Sequence, residues 1–480
     1  MREQRTVVER SRMKNELENG LTFWGGVFCC FGLVAVSVAA EENCEQTLPA
    51  AETSIESVAP EGADSGVTVE PSDAQSDKQP DEPASEQNNT DTSTPDQEEE
   101  PSAFETLWET FAGGKFTLDI RARAEIVDQT NLDTAQAYTA RTRFGYGTKA
   151  LYGFSFYFDF EDIRSANDDL YNAAGLNGQP RKAVVADPED TELNQLFGRY
   201  SSEYVTATAG RQRLILDDHR FVGNVGWRQN EQTFDAYTLA SGWILKTPLL
   251  YSYVDDVNRI FGPDARRDFE SDSHVVNLSF DLLPLGKLTT FGYFLDFPNS
   301  PANSSHTYGA RLGAKHTRGR EYITYAASYA YQVDAGPNPT DYAAGYYFVE
   351  GAYGTEDIGD VGVGYEVLGS DDGRFAFRTP LATGHKFNGW ADSFLVTPAN
   401  GLEDVYFFVN AYLPAGIEGR LVHHLFFSHR RNREFGGEFD ALLSKAFNEH
   451  VSVLGKLAIF EGEAGFPDVQ KYWMQVQVTF

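Results

Sequence analysis

From Lys115 to Phe480 the chain alternates apolar and polar residues with a period of two. Between Lys115 and Ile126, Phe116, Leu118, Ile120, Ala122, Ala124 and Ile126 share one parity, and Lys115, Thr117, Asp119, Arg121, Arg123 and Glu125 share the other. That period belongs to a β-strand with one apolar and one charged face. The next run sets Tyr138, Ala140, Phe144 and Tyr146 against Thr139, Arg141, Arg143 and Lys149. A third sets Phe154, Phe156, Phe158 and Phe160 against Ser155, Tyr157, Asp159 and Glu161. About eighteen such runs of roughly ten residues follow one another, the last at 471–480.

A soluble sandwich would turn the apolar parity inward, whereas a membrane barrel turns it toward lipid and lines its lumen with the polar parity. Strands of about ten residues are long enough to cross a bilayer when tilted, and longer than the usual ~5–6 of soluble sheets. Tyr322, Tyr325, Tyr329 and Tyr331, with Tyr342, Tyr346 and Tyr347, cluster near strand ends, where aromatic girdles sit. The last strand carries Tyr472, Met474, Val476 and Val478 and ends on Phe480, a signal for the barrel-assembly machinery. Closure also satisfies every backbone group, which an open sheet in lipid cannot do. The expected fold is therefore all-β, a transmembrane antiparallel β-barrel of about eighteen strands in a Gram-negative-type outer membrane, with the lipid bilayer as its first partner.

Composition narrows the classes further. Aromatic residues make up 14% of the 480, yet mean hydropathy is −0.40, and outside residues 21–40 nothing approaches the ~20-residue apolar run of a membrane helix. A net charge of −32 argues against a nucleic-acid partner, and three cysteines make no disulfide scaffold. Residues 1–40 read as a signal peptide: the apolar run 21–40 ends with Val38 and Ala40 at a small-residue cleavage site, and Met13 offers the tidier start. Residues 41–103 hold 18 acidic residues, one lysine, seven prolines and no aromatic residue. Such a segment cannot bury enough surface to order itself and is expected to be a disordered spacer. The barrel domain is 104–480.

Two long connections, 163–191 and 370–402, are rich in Gly, Asp, Asn and Pro and are expected to face outward. Residues 212–231 break the alternation while staying charged and aromatic, which fits a loop folded into the lumen. Inward parity assigns Arg121, Arg123, Arg141, Arg143, Arg311 and Lys315 to the lumen, and Arg220 and Arg228 lie on the narrowing loop. Clustered guanidinium groups in a confined pore favour an anionic solute. The same arginines are also placed to pair with Asp119, Glu125, Asp159, Glu161, Glu438 and Asp440 as a stiffening lattice. Arg211 shares the parity of Val205 and Ala209, which leaves its direction open.

Gly210-Arg211-Gln212, Asp217-Asp218-His219-Arg220-Phe221, Gly226-Trp227-Arg228-Gln229 and Gln232-Thr233-Phe234-Asp235 resemble the signature of the alginate-export family of outer-membrane porins. Gly114-Lys115 with Leu118-Asp119-Ile120-Arg121 and Arg123 is similar to that family's first strand. The resemblance implies an eighteen-stranded barrel over 104–480 and a basic lumen that passes polyuronate. The expected function is thus a porin for anionic or polar small solutes or oligosaccharides. The alternative is a barrel-anchored interaction protein whose acidic spacer binds a partner. Catalysis is not expected: His423 and His424 are adjacent on one strand and must point to opposite faces, and nothing calls for a metal or cofactor.

Overall fold

The structure, a computed structural model, describes residues 103–480 except 243–246. The signal-peptide and spacer expectations fall on residues outside the described ones. A short helix, α1 (Ala103–Ala112), precedes the sheet. Its apolar residues fall at 104, 107, 108 and 111, a helical spacing that the alternation further along the chain overshadows. Gly113 and Gly114 end it, their amides donating to the carbonyls of Glu109 and Phe111.

Thirteen strands follow in order: β1 (Lys115–Gln129), β2 (Ala135–Gly147), β3 (Phe154–Ser165), β4 (Asp190–Ser201), β5 (Thr206–Gln212), β6 (Thr233–Ser241), β7 (Leu249–Asn258), β8 (Phe269–Asp281), β9 (Lys287–Leu295), β10 (Ser305–Arg318), β11 (Glu321–Asp334), β12 (Ala343–Thr355) and β13 (Gly359–Leu368). A two-residue hairpin, β14 (Ser370–Asp371) and β15 (Phe375–Ala376), lies in the next connection. The chain closes with β16 (Leu402–Leu413), β17 (Ile417–Phe427), β18 (Glu434–Ala446), β19 (Val451–Gly462) and β20 (Val469–Thr479). Apart from the small hairpin, each strand pairs antiparallel with the next, and β13 pairs with β16. β1 pairs with both β2 and β20. The result is a closed barrel of eighteen strands, with no sheet edge left to satisfy.

Burial is inverted relative to a soluble sheet. Phe116, Ile323, Val361 and Met474 are exposed on the outside, while Arg141, Glu161, Glu438 and Asp440 are buried on the inside. The barrel strands run from seven to fifteen residues, and all but the seven-residue β5 reach the roughly nine to eleven that cross a bilayer when tilted. The tyrosine clusters divide by parity: Tyr329, Tyr331 and Tyr347 are exposed outside, but Tyr322, Tyr342 and Tyr346 are buried. These last three belong to the polar interior rather than to a girdle, because their hydroxyls reach Asp360, Gln332 and Glu366.

The three longest connections, 166–189, 213–232 and 369–401, all leave the same end of the barrel. In outer-membrane barrels that end faces the exterior. Two of them correct the sequence reading. Residues 163–191 and 370–402 do not simply face outward: Tyr171, Val185 and Asp187 in the first, and Phe377, Leu381, His385 and Phe394 in the second, are buried. An eighteen-stranded barrel is too wide for wall side chains to fill, so folded loops occupy the space. Phe394 packs on Phe426, Phe435 and Phe460, and Phe221 of the 213–232 loop packs on Phe291, Tyr346 and Phe377.

Candidate functional site: the arginine wall and the folded loops

The basic wall is built by register. Arg121 of β1 stands directly opposite Arg141 of β2, and Asp119 opposite Arg143. Arg141 pairs with Asp119, and Arg143 with Glu161 of β3. Arg143 also reaches Glu231 of the 213–232 loop at 3.2 Å. Arg123 lies 4.2 Å from the centre of the Trp227 ring, donates to the Trp227 carbonyl at 2.5 Å and stands 3.6 Å from Asp187. Arg121 meets oxygens of a different kind: its Nη1 donates to the carbonyls of Gly226 at 2.9 Å and Arg228 at 3.3 Å, and its Nε to Gln477. Arg121, Arg123 and Arg143 of the wall therefore hold the loop in place.

The 213–232 loop carries its own cations to carboxylates on the walls. Arg220 Nε donates to Glu366 of β13 at 2.6 Å and Nη2 to Asn388 at 3.0 Å. Arg228 spans Glu125 of β1 at 3.2 Å and Asp392 at 2.9 Å. Glu231 accepts from Asn194, Arg213 and Asn224. Burial alone would raise its carboxyl, but Arg143 and Arg213 hold it well below the usual carboxylate range. Val225, a β-branched residue, sits at φ +53°, a strain of roughly 1–3 kcal/mol that persists only when its surroundings enforce it. Its amide is tied to Thr383 Oγ1 at 3.1 Å.

The 369–401 loop is gripped through its backbone. The amides of Trp390 and Ala391 donate to Asp440 and Glu438 of β18 at 3.3 and 2.6 Å. The approach needs glycine at 389: φ is +85°, and a Cβ there would lie 2.2 Å from Glu438 Oε2. Nearby, His385 stacks on Trp227 with ring centres 4.7 Å apart. Lys456 of β19 lies 4.0 Å from the Trp227 ring and 3.8 Å from that of Trp390, and donates to His385 Nε2 at 2.9 Å. An ammonium only donates, so the imidazole proton is on Nδ1, which donates to Asp392 Oδ1 at 2.8 Å. Burial, with Lys456 and Arg228 nearby, pushes His385 well below its ordinary range despite Asp392. Although burial opposes it, His385, Lys471 and Arg228 hold Asp392 well below the carboxylate range.

The remaining sequence-derived positions are less concentrated. Arg311 of β10 pairs with Asp218 at 2.7 Å. Lys315 is exposed, its Nζ 4.2 Å from the Tyr322 ring centre. Arg211 keeps its own parity and pairs across strands with Asp235 at 2.8 Å. His424 is buried against Asp404 while His423 is exposed on the other face. Of the eight cations singled out in the sequence, Arg123, Arg141, Arg143, Arg220, Arg228 and Arg311 thus each have a carboxylate within ion-pair distance, so the lattice is present.

Above this layer, at the loop end, lies a cavity of about 440 Å³ lined by Arg220, Arg228, Arg259, Arg378 and Lys471 and by one carboxylate, Asp392. Sequence reasoning missed Arg259, Arg378, His385, Asp392 and Glu366. The first four lie in connections where parity says nothing. Glu366 sits on a strand, but its partner Arg220 is 146 residues away.

A family model described as "Alginate export" matches residues 114–368. No curated protein matches the chain. Among solved structures, Acinetobacter baumannii OccAB3 is similar with a TM-score of 0.62 at 11% identity, over 77% of this chain and 99% of that one. Pseudomonas aeruginosa OccK9 (OpdG) gives the same TM-score, identity and coverage, and Acinetobacter baumannii OccAB4 gives 0.61 at 13% identity over 76% and 98%. At such identities the likeness is one of fold.

Proposed function

The chain belongs to the alginate export family, and from that premise we propose that this outer-membrane channel passes anionic or polar solutes, acidic saccharides of the polyuronate type among them. Arg121, Arg123, Arg141, Arg143, Arg220, Arg228, Arg311 and Lys315 are the residues assigned to the path. The observation that supports this most directly is the Arg121–Arg141 pair. Like charges directly opposite on neighbouring strands are destabilising, and Asp119 pairs with only one of the two. Arg121 is held by the Gly226 and Arg228 carbonyls and the Gln477 amide oxygen, and among the described residues no carboxylate lies within ion-pair distance of it. Fixed guanidinium groups of this kind offset the lost hydration of a passing carboxylate.

The test is the reversal potential of single channels in planar lipid under a salt gradient. The expected result is anion preference in the wild type and a several-fold lower anion/cation permeability ratio in Arg121→Gln. Cation preference in the wild type overturns the reading, and absence of any ion flux favours an anchored interaction protein instead.

A further inference from the structure

We propose that Arg259 and Arg378 form a carboxylate-binding site at the mouth of the channel, distinct from the arginines of the wall, and that it takes a small organic carboxylate with an apolar body. This deepens the anion-channel reading and rests on it. Both arginines line the cavity at the loop end together with Arg220, Arg228 and Lys471. Those three are already neutralised: Arg220 by Glu366 at 2.6 Å, Arg228 by Glu125 at 3.2 Å, and Lys471 by Asp392 at 2.6 Å, which Arg228 also reaches. Among the described residues, no carboxylate lies within ion-pair distance of the Arg259 or Arg378 guanidinium.

Each of the two is instead held by aromatic faces and backbone contacts. Arg259 lies 4.4 Å from the Phe269 ring centre and 5.0 Å from that of Phe261, with Nη1 donating to the Arg267 carbonyl at 3.3 Å. Arg378 lies 4.8 Å from the Phe375 ring centre. Its main chain is clamped to the wall by the buried Gln332 of β11, which accepts from the Arg378 amide and donates to its carbonyl, both at 2.8 Å. Gln332 is fixed in turn by Thr307 and Tyr342 at 2.9 Å each. The Arg378 Nε is buried without a hydrogen-bond partner.

A ring face steadies a guanidinium while leaving its N–H edge open to a planar, two-oxygen acceptor. Burial lowers both guanidinium groups from their ordinary range. Asp268, beyond ion-pair distance, offsets this only in part at Arg259, and a partly buried cation with no carboxylate in contact regains free energy when one binds. The rest of the lining sets the ligand's body: Leu368, Phe394, Leu395 and Val396 are apolar, and Ser300 and Asn303 are small and neutral. The cavity, about 440 Å³, is of the size that encloses a small molecule rather than a polymer.

The experiment is calorimetric titration of the purified full chain in detergent with benzoate, acetate and inorganic phosphate, beside reversal potentials on the same preparations. Benzoate should bind more tightly than acetate or phosphate, and Arg378→Gln and Arg259→Gln should each weaken it about tenfold or more, the scale of one lost charge-assisted contact. Arg378→Lys, which keeps the charge without the fork, should fall between, and it decides the matter if the glutamine variant loses heat-modifiable migration. Equal benzoate binding by wild type and all three variants overturns the mouth site even if the channel is anion-selective. Phosphate binding as tight as benzoate overturns the carboxylate assignment. Loss of benzoate binding in the variants of a channel without anion preference keeps the site and rejects the anion-channel reading.

Discussion

The wall formed by β1–β3 and the loops folded against it use the same residue types in opposite ways. On the wall, Arg141 and Arg143 of β2 find Asp119 and Glu161 on the adjacent strands β1 and β3, a few ångströms away by register alone. In the loops, Arg220 and Arg228 reach Glu366 on β13 and Glu125 on β1, on well-separated parts of the barrel. A wall pair forms as soon as two strands zip together. A loop pair forms only when the barrel has closed and the loop has folded inward, so it reports docking rather than strand formation. The Arg220 and Arg228 charges that the sequence offers to a solute are largely committed to holding the loops, and the uncommitted charge lies at Arg121, Arg259 and Arg378.

The largest effect should come from breaking a loop pair from one side. Arg220→Met leaves Glu366 buried without its cation, a change of about 3–5 kcal/mol for a buried pair. The barrel should still migrate as folded, because no strand contact is lost, while single-channel conductance rises as the loop detaches. Replacing both partners with methionine should restore much of the wild-type conductance. If single and double variants conduct as the wild type does, the loop is not held by this pair.

A smaller effect tests the His385 junction by pH. His385 is neutral when docked, with Asp392 on one side, Lys456 on the other, and Lys471 and Arg228 around Asp392. Its docked pKa lies well below its ordinary value, and once released it titrates near ~6.5. Between those values the released loop binds more protons, so docking is complete above about pH 6.5 and weakens as the pH falls below it. Conductance fluctuations should therefore grow between pH 7.5 and pH 5, and His385→Gln should flatten that dependence. A wild-type trace insensitive to pH over this range counts against the junction as the hinge of docking.

The smallest effect is expected at Lys315. It is exposed, with its Nζ against the Tyr322 ring, so Lys315→Gln should change the reversal potential by a few millivolts at most and leave heat-modifiable migration unaltered. A shift as large as that of Arg121→Gln would place the narrowest part of the path near the turn end.

The alternation of residues by itself determined the barrel, the near-count of its strands and which parity of each faces lipid, because side-chain direction in a strand depends only on position along it. It also placed Arg121, Arg123, Arg141 and Arg143 on one buried wall and separated His423 from His424. The break in alternation over 212–231, in residues that stay charged and aromatic, pointed to an inward loop. Only the tertiary structure decided what those side chains meet. Gln332 and the Arg378 backbone, Arg220 and Glu366, Lys456 and His385 stand far apart in sequence, up to 146 residues for the ion pair. It also turned 166–189 and 369–401 inward, where composition alone suggested an exterior course. The physical reason is that alternation is a local property of an extended chain, whereas the partner of a buried charge is set by barrel closure and loop folding, which bring distant residues within hydrogen-bond reach.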